Sequence, residues 1–204
     1  MRRTFFALLA LLGLGSCAGL IGSRDQALIV TRGAICGTPM IQGVSLGEVK
    51  GRGRCGIQDA VEVDAVGGVL LSQPSRMNCD TARTLNSWVT DQMTPLVGDT
   101  GGGVKSLQVA AHYSCKTRNG RRGARLSEHS FGNAIDISAF NLADGSALTV
   151  LTDWGGGARG RLLKKLHASA CGPFGTVLGP NSDRFHKTHF HFDIARYRRG
   201  SYCK

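Results

Sequence analysis

Apolar and polar residues alternate most cleanly in two short stretches of the C-terminal half. Within 184–195, Phe190, Phe192 and Ile194 alternate with His189, His191 and Asp193. A β-strand points successive side chains to opposite faces. The alternation therefore predicts a strand with its phenylalanines in a core and two imidazoles side by side on the other face. Within 126–140, Ile135, Ile137 and Ala139 alternate with Asp136 and Ser138, which predicts a second strand turning Asp136 away from its apolar side. His129 lies just upstream, with Gly132 between them to let the chain bend.

The rest of the chain reads as mixed α and β structure. Val61, Val63 and Val66, then Gly67-Gly68, then Val69 to Leu71 predict a hairpin. Asn78 can cap a helix in which Ala82, Leu85, Val89 and Leu96 recur at three to four residues, with Trp88 on the same buried face. Residues 104–115 predict a strand that leads into a basic loop over 116–125. Asp144-Gly145 marks a turn, 159–170 a helix burying Leu162, Leu163 and Leu166, and 174–178 one more short strand before the histidine-bearing one. His112 and His167 fall outside both histidine stretches and are expected to be structural. The pattern reads as one domain of mixed strands and helices, with no linker to split it.

Chemistry enters through the histidines. A His-x-His pair on a strand is more often a surface pair than a metal site. Here it is joined by a carboxylate and a further imidazole on an apolar-backed neighbour, with small residues at Gly132 and Ala134. Two histidines and one carboxylate on adjoining strands can hold one zinc ion and leave a fourth position open, as catalytic sites do.

The N-terminus indicates export. Arg2 and Arg3 precede an apolar run, Phe5 to Leu14, that is too short to span a bilayer, so residues 1–16 read as a signal peptide. The run ends in Leu14-Gly15-Ser16-Cys17, which resembles the bacterial lipobox; it implies a lipid on Cys17, a tether over 17–33 and attachment on the periplasmic side, at the outer membrane rather than the inner. Of the 7 cysteines, that leaves Cys36, Cys55, Cys79, Cys115, Cys171 and Cys203, an even set suited to three disulfides in an exported domain. Pairing neighbours along the chain gives Cys36–Cys55, Cys79–Cys115 and Cys171–Cys203 as the expectation. The net charge of +11 concentrates in 50–54, 116–125 and 196–199 and favours an anionic partner. No nucleic-acid-binding signature is present. Peptidoglycan and, through the lipid, a membrane are the expected partners of a monomer.

Ser127-x-His129-x-x-Gly132-x-Ala134-x-Asp136 resembles the motif of D-alanyl-D-alanine metallopeptidases, and His189-Phe190-His191 resembles the His-x-His of the murein endopeptidase branch. More broadly, 34–203 is similar to the bacterial extensin-like protein C-terminal family, through CGI at 55–57, SEHSFGNAIDI, VLGP at 177–180 and HFHFDIA. The 5 prolines exclude the Pro-rich repeats of a plant wall extensin. The resemblance implies one small α+β domain over 34–204, an antiparallel sheet with flanking helices, and a zinc-dependent hydrolase of peptidoglycan stem peptides, endopeptidase or carboxypeptidase. It implies His129, Asp136 and His191 as metal ligands and His189 as general base, assisted by His186. It places Lys116 or Arg118, with Ser127, at the substrate. A non-catalytic peptidoglycan-binding lipoprotein that keeps the zinc scaffold is the rival expectation, and zinc capture in the periplasm a third.

Overall fold

The computed structural model describes residues 32–197 and 199–204. The leader, the tether up to residue 31 and Cys17 lie outside the described residues. The strands are β1 (Gly33–Ile35), β2 (Thr38–Lys50), β3 (Gly56–Val66), β4 (Val69–Asn78), β5 (Val104–Ala111), β6 (Ala134–Leu142), β7 (Ala147–Thr149), β8 (Thr176–Leu178), β9 (Phe190–Asp193) and β10 (Tyr202–Cys203). They form a single 10-stranded sheet in the order β1-β2-β3-β4-β5-β6-β9-β8-β10, with β7 paired to the far half of β6.

The sheet is mixed, which corrects the antiparallel expectation. β4 runs parallel to β5 through Leu70↔Ser106 and Leu71↔Leu107, and β10 runs parallel to β8. The first pair is parallel because the chain leaves β4 into a helical crossover before returning, and a two-residue hairpin cannot make that connection.

The crossover begins with α1 (Cys79–Trp88), where Asn78 caps the helix by accepting a hydrogen bond from Thr81 N at 2.8 Å. A π-helical turn over Val89–Met93 leads into α2 (Thr94–Val97). A π turn carries one more residue than an α turn and rotates the residues after it about the helix axis. Met93 and Val97 therefore enter the core, and Leu96, expected inside, is exposed. Two later helices are α3 (Val150–Asp153) and α4 (Gly157–Ala170). Leu163 and Leu166 of α4 are fully buried, while Leu162 packs at the margin of the core.

These helices cover one face of the sheet. Trp88 lies 5.2 Å from Phe192 and 6.3 Å from Phe140 between ring centroids, and Phe174 stacks on Phe192 at 5.0 Å. Ile135, Ile137, Phe190 and Phe192 are all fully buried there, each burial contributing about 1.5–3 kcal/mol. His167 of α4 packs its ring 5.2 Å from that of Phe190, a structural position. The opposite face of β6 and β9 is left for chemistry.

Three disulfides staple the domain, but only Cys171–Cys203 joins the expected partners. Cys36 bonds Cys79 and Cys55 bonds Cys115. Pairing by sequence distance fails because tertiary packing decides the neighbours. The β1–β2 turn lies over the start of α1, where Arg83 donates to the carbonyl of Cys36. The 51–55 turn meets the chain leaving β5, with Gly51 against the Tyr113 hydroxyl.

Candidate metal centre

The site is assembled by one cross-strand pair and one bend. β6 and β9 run antiparallel with Asp136 directly opposite His191, flanked by Ile135↔Phe192 and Ile137↔Phe190. Because the flanking pairs are sunk in the core, both functional side chains must project from the other face. His129 arrives on a short 3-10 turn, Glu128–Phe131, that ends at Gly132 with φ 67°. That left-handed conformation favours glycine. A Cβ at Gly132 would also lie 2.5 Å from Ile57 Cδ1 and 3.0 Å from the backbone of Asn78. The bend is thus held against β3 and β4, and it presents His129 to Asp136.

The donor atoms converge. Asp136 Oδ1 lies 3.1 Å from His129 Nε2 and 2.8 Å from His191 Nδ1, and one ligand atom from each of the three residues lies within 4.8 Å of the others. Donors tetrahedrally arranged at zinc distances sit about 3.4 Å apart, so the cluster suits one ion. Each ring is also gripped from behind. His129 Nδ1 is 2.8 Å from the carbonyl oxygen of His112, and His191 Nε2 is 3.0 Å from Asp193 Oδ2. A neutral imidazole carries a single N–H. If that N–H serves the rear oxygen, both remaining lone pairs point at Asp136 Oδ1. A cation between them satisfies all three donors, and the rear acceptors then fix the tautomers as such partners do around bound metals. The residues fit zinc.

Without a cation, protons take over that role. Burial disfavours a charged His191, but hydrogen bonds to Asp136 and Asp193, reinforced by their charges, raise its pKa to about 9. Burial alone would raise Asp136; the two imidazoles outweigh it and hold its carboxyl far below the usual range.

The family comparison agrees with the extent of this fold. Residues 41–204 match the family model described as Extensin-like protein C-terminus. The chain belongs to this family. No curated protein and no solved structure matches it.

In this extensin-like domain the donor cluster lies in a cleft of about 550 Å³ that His186, His189, Lys116, Arg118 and Ser127 also line. His189 Nε2 is 3.6 Å from Asp136 Oδ2, and Thr188 Oγ1 lies 3.2 Å from its Nδ1. Burial lowers the pKa of His189, against the opposing pull of Asp136. His186 has its Nδ1 2.8 Å from Asp183 Oδ1 and its ring centre 5.4 Å from that of His189. Ser127 is buried at the cleft wall, whereas the Lys116 ammonium is exposed and makes no ion pair with any described residue.

Two contributors escaped the sequence reading. Asp183 orients His186, and Tyr197 spans the cleft rim, donating its hydroxyl to Glu128. Burial first, and then the Glu128 carboxylate, push the Tyr197 phenol above its ordinary pKa. Tyr197 stands in a run of arginines remote in sequence from Glu128, so no local pattern marks the contact.

Proposed function

We propose that the protein is a zinc-dependent hydrolase that cuts peptide bonds in the stem peptides of peptidoglycan. The observation that carries this reading is the convergence of His129 Nε2, Asp136 and His191 Nδ1 at the floor of an open cleft, each imidazole held from behind by an oxygen acceptor. The stem-peptide assignment rests on the motif resemblance around Ser127, His129, Asp136 and His191. The three disulfides suit an exported protein, in line with a Cys17-anchored lipoprotein facing the periplasm.

His129, Asp136 and His191 would hold the ion. When bound, zinc supplies a Lewis acid and lowers the pKa of coordinated water toward about 7. His189 is the proton acceptor of the cleft. Its depressed pKa keeps the ring neutral near pH 7, and its Nε2 faces the same side of the cleft as Asp136. His186, fixed by Asp183, stands beside it to pass the proton onward. Glu128 is not the base, because its Oε2 accepts from Asn133 Nδ2 at 2.7 Å and its Oε1 from Tyr197.

The test is mass spectrometry of purified muropeptides incubated with zinc-loaded protein and with protein stripped by a chelator. New fragments, whose masses sum to that of the parent plus one water for each cut amide, are expected only with the loaded protein. Intact muropeptides in both reactions, with the protein nevertheless retained on sacculi, would replace this reading with the binding module.

A further inference from the structure

The far wall of the cleft is made by the segment that returns from β9 to β10. Tyr197 stands on it, and the Arg118 guanidinium stacks 4.8 Å from the centroid of the Tyr197 ring. Arg118 Nη2 also donates to the Tyr197 hydroxyl, which in turn donates to Glu128 Oε1. Glu128 Oε1 is 3.8 Å from Arg118 Nη2, a distance at which the phenol rather than a direct bond links the two charges. Glu128 itself cannot drift, being buried and held on its second oxygen by Asn133, whose carbonyl accepts from Ile194 N at 3.1 Å. The segment is pinned at its end too, by the pairing of β10 with β8 and by the Cys171–Cys203 disulfide.

This chain of contacts occupies one edge of the guanidinium. The group carries five N–H donors in a rigid fork suited to a carboxylate, and Nε and Nη1 have no partner among the described residues. Lys116, the other cation that the resemblance places at the substrate, has no such scaffold.

We propose that Tyr197 and Glu128 are positioning residues that hold Arg118 as the carboxylate-binding arm of the cleft. The inference rests on the reading that stem peptides, which bear free carboxylates, are what the cleft takes. Stacking sets the plane of the fork, and the phenol relay sets its rotation. Without the hydroxyl the guanidinium still has its ring but loses its direction.

The experiment is equilibrium binding of a fluorescent synthetic stem pentapeptide with free carboxylates, and of its fully amidated counterpart, to the zinc-loaded full chain. Wild type is expected to prefer the free acid. Tyr197→Phe, which keeps the ring, should weaken free-acid binding about tenfold, the scale of a lost hydrogen bond to a charged group. It should leave amide binding and zinc content unaltered, and Arg118→Gln and Glu128→Gln should show the same selective loss. A wild type with no preference for the acid, or one that binds neither peptide, overturns the inference. So does a preference that survives Tyr197→Phe, or one erased by Lys116→Gln in place of Arg118→Gln. Binding is read independently of cleavage. An acid preference that depends on Tyr197, in a protein that hydrolyses nothing, would sustain this inference while ending the hydrolase reading.

Discussion

His191→Ala should lose both zinc and hydrolysis, while His189→Ala should keep its zinc and lose turnover by about a hundredfold to ten-thousandfold. His191 lies within β9 and His189 in the bend that immediately precedes it, not on the strand as the alternation predicts; both Phe190 and Phe192 face the core, so generic damage to β9 would strike the two histidines alike. Their electrostatic surroundings separate them. His191 is 8% exposed and sits between two carboxylates, with Nδ1 2.8 Å from Asp136 and Nε2 3.0 Å from Asp193. Removing it deletes one of three donors and leaves the buried Asp193 without the imidazole it holds, a double loss that no water can replace in donor strength. His189 touches the same carboxylate only at 3.6 Å and belongs to the cleft wall, so its loss costs what a positioned general base contributes. Zinc content and muropeptide cleavage measured on both variants decide the matter. Zinc lost from His189→Ala and retained by His191→Ala would reverse the two roles.

Zinc affinity should rise about tenfold per pH unit between roughly pH 6.5 and pH 9, with close to one proton released per zinc bound. The sign is set by His191. Its pKa of about 9 in the metal-free fold exceeds the value of about 6.5 for an unperturbed imidazole. In the metal-free protein the bound proton stabilises the fold fully below pH 6.5, and that stabilisation fades as pH rises through 9. Zinc must displace the same proton to reach Nδ1, so proton and metal compete throughout this window. The lowered pKa of Asp136 adds nothing here, because its carboxylate is already ionised. Competition against a chelator of known proton linkage at pH 7 and pH 8, combined with proton release in weakly buffered solution, measures both quantities. An affinity that does not change with pH would mean that His191 is not a ligand through Nδ1.

Legibility of the chain tracks the strength of its period-two signal. β9 and the Ile135–Ala139 half of β6 alternate without a break, and the structure pairs them with Asp136 and His191 face to face. β2 is not legible in the sequence although it has 13 residues. Its register shifts at Gln42/Gly43, Ser45/Gly47 and Gly47/Val49, and each bulge moves the apolar set to the other face, which erases the alternation. The helix after Asn78 is legible until the π turn rotates its buried face past Leu96. Cysteine pairing depends on how turns and strand ends meet in space, and composition carries no information about that. The same holds for the site. The ligand candidates share two local motifs and Asp183 is a local partner of His186, three residues on, whereas the carbonyl of His112 and Tyr197 reach the site only through the tertiary fold.

The metal centre itself is tested most directly by zinc K-edge X-ray absorption on the zinc-loaded protein. Two imidazoles and one carboxylate should appear as a first shell of nitrogen and oxygen alone at about 2.0–2.2 Å, with outer-shell scattering that counts two histidine rings. Sulfur scattering at about 2.3 Å, or an ion surrounded only by oxygens, would contradict a centre built from His129, Asp136 and His191.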